Sequence, residues 1–239
     1  MTGCKDQPSY SGCETETSRQ KPALELTVLK TSDFEITGAG TSAAWARAPS
    51  HAMTRIGSGR AAYATSFKTL YSPTGLYFLF DCEDRQLACT IQQDCGDLWL
   101  EDAIEVFLWP DERQGLYLQY DISPLGVELP LLVPNHGGAF FGWRPWHYDG
   151  PRRVRRATSV RGGPKAPMAG VEGWSAEFFI PFALLAGLGN CPPWPGARWR
   201  ANMYRVDHDD RPASHWAWCE RTGTNTHAFR EYGTLVFSD

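Results

Sequence analysis

The stretch "DLWLEDAIEVFLWPDE", residues 97–112, shows the pattern that decides the fold. In its middle two sets of side chains alternate, Ile104, Val106 and Leu108 on one face and Ala103, Glu105 and Phe107 on the other. This two-residue period predicts a β-strand, and it places Glu105 on the same face as two apolar neighbours. A strand that only built a core would carry an aliphatic residue there, so the carboxylate needs a separate explanation.

The same alternation recurs along the chain in short runs, separated mostly by clusters of Gly, Pro, Asn and Asp. The runs span residues 24–31, 61–72, 75–83, 102–110, 115–123, 155–162, 173–182, 199–207 and 233–239. Only "PFALLAGLG", residues 181–189, has the character of a short helix. Many short strands with turns between them indicate an all-β fold, an antiparallel β-sandwich with at most short helices.

Composition restricts the functional classes. The chain has 239 residues, of which 42% are hydrophobic, and this amount suits one sizeable domain. Its net charge of −4 gives no electrostatic reason to expect nucleic acid or an anionic membrane as partner. No apolar run approaches membrane-spanning length. Ten Trp, nine Tyr and twelve Phe suit a Trp-rich β core, and such rings also stack on sugars.

The first residues differ in composition from the rest. Residues 1–24 are polar and nearly free of aliphatic side chains, which predicts a flexible tether ahead of a single domain at 25–239. Cys4 follows "MTG", as in the tail of a bacterial lipoprotein signal. We therefore expect export, to the periplasm, the cell surface or the medium, with membrane contact only through a lipid anchor at Cys4. The alternative is an N-terminal segment whose cysteine has no role.

Seven cysteines form no C-x-x-C pair and no zinc-type spacing. Their odd number leaves at least one thiol unpaired. Cys89 and Cys95 flank a short loop and are one candidate disulfide, and Cys191 with Cys219 is a second if their strands adjoin. Residues 134–170 are rich in Gly, Pro and Arg and are predicted to be mostly loop, which in a compact domain is typical of a functional segment or a disordered one.

Seven motifs in a fixed order carry a family resemblance. They are "AAW" (43–45), "GLYFLFDCED" (75–84), "LWLEDAIEVFLWPDE" (98–112), "LYLQYDISPLG" (116–126), "GWSAEFFIPFALL" (173–185), "WRANMYRVD" (199–207) and "THAFREYGTLVF" (226–237). In this order they resemble the family 9 carbohydrate-binding modules, and most closely the stand-alone family 9-like branch of polysaccharide-degrading bacteria. The resemblance covers about residues 33 to 239.

The resemblance implies a β-sandwich with a shallow site that binds the end of a glycan chain without cleaving it. Its partners would be oligosaccharides or polysaccharides. In the founding modules two Trp rings sandwich the terminal sugar, and a strand Glu accepts hydrogen bonds from its hydroxyls. Trp99 matches the first Trp and Glu105 matches the Glu. The family also tends to place a polar sugar-contacting side chain near Gln119.

The second Trp of the family pattern is missing. At its position the chain reads "NTHAF", so His227 stands closest to the absent ring, and Asn225 lies two residues before it. The aromatic loop supplies two candidates for a replacement ring, Trp143 and Trp146. The alternative is that both of these rings pack under the loop. The sequence therefore predicts a cleft formed by Trp99, Glu105 and His227, with Gln119 and Asn225 at its edge and Trp143 or Trp146 closing over it.

A structural calcium ion is implied by the resemblance, because related modules carry one. Asp81, Glu83 and Asp84 in "FDCED" offer the hard oxygen ligands that calcium prefers. The alternative is that these three acids form a solvated strand end. Arg205 is a candidate partner for a carboxylate, Glu105 included, and Asn202 lies on the opposite face of the same strand.

Two other functional classes remain. A glycan-cleaving enzyme would need a carboxylate pair from different strands, for example Glu105 with Asp121 or Asp207, with histidines such as His147 added. The chain contains none of the serine-hydrolase, zinc-protease or phosphate-loop motifs. A haem-binding electron-transfer domain would need Met and His ligands, and Met203 is a strand candidate, but no C-x-x-C-H attachment site is present.

Overall fold

The computed structural model describes residues 24–136, 139–146 and 148–239. Its strands are β1 (Glu25–Lys30), β2 (His51–Ala52), β3 (Thr54–Ile56), β4 (Thr65–Tyr71), β5 (Gly75–Glu83), β6 (Ala103–Trp109), β7 (Leu116–Ile122), β8 (Glu128–His136), β9 (Ala139–Phe140), β10 (Arg144–Pro145), β11 (Arg155–Arg161), β12 (Gly173–Pro181), β13 (Arg198–Asp207), β14 (Ser214–Ala217) and β15 (Gly233–Ser238). Short 3-10 helices lie at Ala43–Arg47, Leu98–Leu100, Gly150–Arg152, Glu220–Thr222 and Phe229–Glu231. Most of the predicted tether, Cys4 and His147 are outside the described residues.

The strands pair in one continuous order, β10-β8-β7-β6-β13-β15-β1-β4-β5-β12-β11. We call β10, β8, β7, β6 and β13 the front layer and β4, β5, β12 and β11 the back layer; β15 and β1 join them. The layers pack face to face, with the rings of Tyr120 on β7 and Phe178 on β12 5.0 Å apart. The predicted β-sandwich is confirmed. The sequence predicts antiparallel pairing throughout, and the structure differs at one strand. β1 pairs in parallel with both β15 and β4.

The alternation along β6 assigns its side chains to two different environments. Ile104, Val106 and Leu108 are fully buried between the layers, in one cluster with residues of the back layer such as Phe80 and Trp174. Ala103 and Phe107 lie on the outer face of the front layer, in a second cluster with Tyr117, Tyr204 and Tyr232. Glu105 shares that outer face, as the period of the sequence predicts.

One buried carboxylate anchors residues 37–45 on the outer face of the back layer. Glu177 on β12 is fully buried. It accepts hydrogen bonds from Thr37 N, Thr37 Oγ1 and Gly38 N at 2.8 Å each, from Gly40 N at 3.2 Å and from Trp45 Nε1 at 2.8 Å. Gly38 must be glycine, since its φ is +86° and a Cβ would lie 2.9 Å from the Thr158 backbone nitrogen. Burial by itself raises the pKa of Glu177, but the hydrogen bonds from Trp45 and Thr37 outweigh burial and lower it.

Strand β8 lies partly inside the segment that the sequence predicts as loop. Its prolines explain the discrepancy, because proline removes a ladder donor and argues against an interior strand. In the structure Pro130 pairs with Tyr120 and Pro134 with Leu116 on β7. Within the described residues, the other edge of β8 is paired by the two-residue strands β9 and β10, so the missing donors are tolerated.

The predicted helix at 181–189 is wrong. This segment forms consecutive turns, with backbone hydrogen bonds from Leu184 N to Pro181 O at 2.9 Å and from Leu188 N to Leu185 O at 3.0 Å. The three leucines are buried in the core between the layers. Their apolar spacing therefore reflects core packing, and Gly187, with a φ of +101°, interrupts any regular helix.

The candidate disulfides do not form. Cys82, Cys89, Cys95, Cys191 and Cys219 are all free thiols in the part of the chain that the structure describes. Cys89 is fully buried whereas Cys95 is exposed, and the Cys191 and Cys219 thiols face different carbonyls, those of Phe182 and Glu231. No helix within the described ranges is long and apolar enough to cross a membrane.

Candidate functional site

A cleft of about 350 Å³ opens on the outer face of the front layer. Strands β6, β7, β8, β13 and β14 supply its floor and sides, and the segments around residues 99, 140–143 and 224–227 supply its rim. Its lining residues are Trp99, Glu105, Gln119, Leu131, Phe140, Trp143, Val206, His215, Thr224, Thr226 and His227. The volume lies within the usual range of small-molecule sites, about 300 to 1,000 Å³.

The floor of the cleft carries one carboxyl group and one amide, and a second carboxyl group lies buried beside them. Glu105 and Asp121 are directly opposite each other in the β6–β7 register, with exposed fractions of 6% and 0%. Gln119 lies on the same face of β7 and donates from Nε2 to both Asp121 oxygens at 3.1 Å. Two buried acceptor atoms, Glu105 Oε2 and Gln119 Oε1, have no hydrogen-bond partner among the residues that the structure describes. Unpaired buried polar atoms are costly, so this floor suits a ligand that donates hydrogen bonds.

The two carboxyl groups influence each other's protonation. Burial raises the pKa of Glu105. Burial, and then the charge of Glu105, raise the pKa of Asp121 well above its ordinary value. Two facing carboxylates that lack a cation are not both ionised easily in a buried place.

Arg205 is not the partner of Glu105. It lies on the opposite face of β13, is completely buried, and donates from Nη2 to Asp84 at 3.1 Å and to Asp207 at 2.6 Å. The guanidinium also packs over the Trp216 ring, 4.8 Å from its centroid. An ion pair between Glu105 and Arg205 is therefore excluded, and Arg205 has a structural role in the core. Asn202 is also buried and donates to the Cys219 carbonyl at 3.0 Å, away from the cleft.

Aromatic rings form the rim. The Trp99 and Trp143 rings are 5.3 Å apart and tilted by 60°. Trp143 is 41% exposed, and Phe140, which also lines the cleft, is 44% exposed. Large apolar side chains exposed around a polar floor are typical of a binding surface.

His227 lines the cleft, but another aromatic ring already covers one face of its imidazole. Phe140 stacks on its ring at a centroid distance of 4.2 Å and an angle of 21°. Nδ1 is hydrogen-bonded to the Tyr117 hydroxyl at 2.8 Å, which leaves Nε2 as the nitrogen available to a ligand. Burial lowers the pKa of His227 to about 4, so the imidazole is neutral at pH 7. Phe140 therefore offers the apolar surface that the sequence assigns to His227.

A second depression of about 480 Å³ adjoins the cleft. It shares Phe140 and His227 with the cleft and adds Asn225, Ala228, Phe229, Arg230 and Glu231. Asn225 Oδ1 accepts a hydrogen bond from the His227 backbone nitrogen at 3.1 Å. The stacked Phe140 and His227 rings thus lie between the cleft and the second depression.

The structure brings together five of the residues that the sequence predicts, namely Trp99, Glu105, Gln119, Trp143 and His227. Gln119 is on the floor rather than at the edge, and Asn225 lies in the adjoining depression. Trp146 is half-buried against the core between the layers, as the packing alternative has it. Phe140 is the main residue that sequence reasoning misses. Its signal is the Gly-flanked aromatic run "GGAFFGW".

The predicted calcium ligands do not converge. Arg161 pairs with Asp81, the Ala64 backbone nitrogen donates to Glu83 at 2.8 Å, and Arg205 pairs with Asp84. Within the described ranges a different carboxylate group is close enough to bind a metal: Asp84, Asp207 and Asp209. Arg205 already supplies the positive charge between the first two, and calcium needs six to eight oxygen ligands. These residues do not fit a calcium ion while Arg205 is in place.

The sequence and fold comparisons agree with this architecture. Residues 36–124 match the model of the family described as "Carbohydrate family 9 binding domain-like", so the resemblance to that family is confirmed over this range. No curated protein matches the chain. A protein from Bacteroides uniformis, described as a candidate carbohydrate-binding protein, has a similar structure with a TM-score of 0.74 at 14% identity, over 90% of this chain and 100% of that chain.

A family 9 carbohydrate-binding module from Caldicellulosiruptor kristjanssonii has the same fold. Its complex with cellotriose has a TM-score of 0.62 at 14% identity, over 90% of this chain and 93% of that chain. Its complex with glucose gives 0.62 at 15% identity, over 90% and 95%. At these identities the likeness establishes the fold, the β-sandwich of family 9 modules.

Proposed function

We propose that this protein binds the end of an oligosaccharide or polysaccharide chain in the cleft and does not cleave it. One observation carries the proposal: two unpartnered, buried acceptors, Glu105 Oε2 and Gln119 Oε1, lie below a rim of exposed aromatic rings. The match of residues 36–124 to a carbohydrate-binding family supports it, and so do the glucose and cellotriose complexes of a protein with the same fold.

The chemistry of the cleft favours a sugar over other small molecules. A pyranose presents hydroxyl donors at its edge and C–H groups on its faces. The floor acceptors would receive the hydroxyl hydrogens, and a charged acceptor makes the stronger kind of hydrogen bond. Trp99, Trp143 and Phe140 would contact the apolar face of the sugar. Phe140 takes the role of the second family Trp in this proposal, with His227 supporting it from behind.

A glycan array together with chromatographic product analysis tests the proposal. We expect binding to a defined set of glycans and no change in their length after prolonged incubation. Shortened products would favour the glycosidase alternative, with Glu105 and Asp121 as its carboxyl pair. Failure to bind any glycan on a broad array would contradict the proposed function.

Replacement of Trp99 by alanine is expected to weaken glycan binding by about 1 to 3 kcal/mol, the range measured for an aromatic ring stacked on a base. The reason is the loss of one ring from the rim. Isothermal titration calorimetry with the tightest ligand from the array measures the change. Trp194→Ala is the matched control, because Trp194 is 60% exposed but does not line the cleft. Equal losses in the two variants would contradict the role of Trp99.

The adjoining depression predicts a preference for chains over single sugars. Arg230 lines this depression and is exposed. We expect Arg230→Ala to weaken trisaccharide binding by about 0.5 to 1.5 kcal/mol, the net worth of one hydrogen bond, with monosaccharide affinity unchanged. Calorimetry with a trisaccharide and the matching monosaccharide measures both values. An equal loss for both ligands would mean that the second depression is not a separate sugar subsite.

We also propose that this binding takes place outside the cytoplasm. The polar composition of residues 1–24 and the "MTGC" sequence support this location. Cell fractionation and mass spectrometry of Cys4 test export and acylation separately from glycan binding.

A further inference from the structure

Resting on the proposed function, we infer that Asp121 is a positioning residue, which shares one proton with Glu105 and thereby keeps Glu105 as the carboxylate that accepts from the sugar. Asp121 has no exposed surface and does not line the cleft. It is placed to act on the ligand only through its neighbour.

The geometry of the two strands leads to this inference. Side chains directly opposite in an antiparallel pair have Cβ atoms about 4.5 to 5.5 Å apart. Glu105 and Asp121 are such a pair, and both are buried. In the described part of the chain no Lys, Arg or His forms an ion pair with either. A single proton held between the two groups removes the repulsion that two buried charges would suffer.

Exposure distinguishes the two acids. Asp121 has no exposed surface, whereas Glu105 is 6% exposed and lines the cleft, so burial favours the proton on Asp121 and the charge on Glu105. Gln119 Nε2 donates to both Asp121 oxygens at 3.1 Å, which favours the charged form of Asp121, but burial outweighs this effect. Glu105 Oε2 has no hydrogen-bond partner in the described ranges of the chain. With Asp121 protonated, Glu105 stays an anion and presents this oxygen to the ligand. The raised pKa of Asp121, caused by burial and the Glu105 charge, agrees with this distribution.

The other titratable groups near Glu105 and Asp121 stay neutral between about pH 6 and 9. Those that pack around the outer face are Tyr117 on β7, Tyr204 on β13, Tyr232 before β15, His215 on β14 and His227 at the rim. Burial raises the pKa of each of the three tyrosines and lowers those of the two histidines, to about 4 for His227. Between about pH 6 and 9 the carboxyl pair therefore dominates the titration of the cleft.

The pair gives glycan affinity a two-sided pH dependence. Acid neutralises Glu105 and weakens it as an acceptor. Alkali removes the shared proton, so repulsion displaces Glu105, and affinity falls by about tenfold, the equivalent of one pKa unit. Coupled groups titrate as a pair, so both limbs belong to the pair. Asp121→Asn mimics the protonated acid, because the amide oxygen that the substitution introduces still accepts from Gln119 Nε2 while its amide nitrogen donates toward Glu105.

The affinity test measures binding of cellotriose, and of the tightest ligand from the array, from pH 4 to 10. We expect wild-type affinity to peak near neutrality, Asp121→Asn to keep neutral affinity but lose the alkaline fall, and Glu105→Gln to bind more weakly at every pH. An unchanged alkaline limb in Asp121→Asn would overturn the positioning role. A variant that is merely less stable would leave the pH profile unchanged.

A second test, carried out without ligand, examines the shared proton independently of sugar binding. Carbon-13 NMR of the side-chain carboxyl carbons follows Glu105 and Asp121 individually, and we expect two coupled steps, one of them well above the ordinary range. Two independent titrations at ordinary values would overturn the shared proton, whatever the protein binds. Coupled steps without binding to any glycan would instead overturn the proposed function and the affinity role, while the shared proton would stand.

Discussion

Replacement of Arg205 by leucine is expected to lower the free energy of unfolding by about 3 to 5 kcal/mol, the usual cost of leaving a buried charge without its partner. Arg205, Asp84 and Asp207 have fully buried side chains and are joined by two ion pairs. Arg205 also donates to Thr65 Oγ1 at 2.9 Å and to the Glu83 carbonyl at 2.7 Å. Without the guanidinium, two buried carboxylates face each other. Urea unfolding followed by circular dichroism measures the loss.

The pH dependence of this loss identifies its cause. Burial already raises the pKa of Asp84 to about 7, and we expect the destabilisation to shrink as the pH falls and the carboxyls take up protons. Adding Asp84→Asn and Asp207→Asn to Arg205→Leu should restore part of the stability. The control is Arg152→Ala, which removes an exposed pair with Asp149 and should cost about 0 to 1 kcal/mol. A loss below about 1 kcal/mol for Arg205→Leu would contradict its structural role.

Replacement of Glu177 by alanine is expected to cost roughly 2 to 4 kcal/mol of unfolding free energy, since each buried donor left unpaired costs about 1 to 3 kcal/mol. Five donors converge on this carboxylate, and some of them would regain water after the substitution. Thermal unfolding measures the change. Because Trp45 becomes free of its Nε1 hydrogen bond, its fluorescence should change as well.

Acid should affect the wild type and Glu177→Gln differently. The pKa of Glu177 is lower in the folded state than in the unfolded chain. Its stabilisation is therefore fully present above the unfolded pKa, about 4.3, and is lost as the pH falls through the lower folded pKa. We expect the acid loss below about pH 4 to be smaller in Glu177→Gln, which is less stable at neutral pH. Equal acid dependence in both proteins would contradict the assignment.

The sequence predicts the sandwich because its side-chain alternation separates the two faces of the strands. β6 illustrates this, since the period alone separates Val106, between the layers, from Glu105, on the outer face. The pattern does not predict β8, because Pro130 and Pro134 argue against a strand there. At 181–189 it predicts a helix wrongly, because the buried leucines have helical spacing but pack into the core from consecutive turns. Parallel pairing of β1 leaves no local signal, because it depends on strands far away in the chain.

The candidate site is predicted in outline but not in detail. A resemblance places Trp99 and Glu105 in the cleft, and the strand period places Gln119 and Asp121 on one face of β7. The sequence predicts Gln119 at the edge of the cleft, whereas the structure has it on the floor. Which ring replaces the absent Trp depends on how the loop folds over β8. The sequence alone does not show that Trp143 lines the cleft while Trp146 packs on the core. Phe140 is a further case, because its role follows from stacking on His227.

The seam between β1 and β15 has a consequence for how the chain reaches this fold. Glu25 pairs with Thr234 and Leu29 with Ser238, so the two layers are joined by strands about two hundred residues apart. Contacts of such long sequence separation must overcome a large loop-closure entropy before they contribute stability, and they form slowly. During synthesis the edges of β1 and β13 that face β15 stay unpaired until β15 leaves the ribosome. Unpaired edges of this kind invite association between nascent chains. Completion of the seam is therefore the step that covers both of these edges.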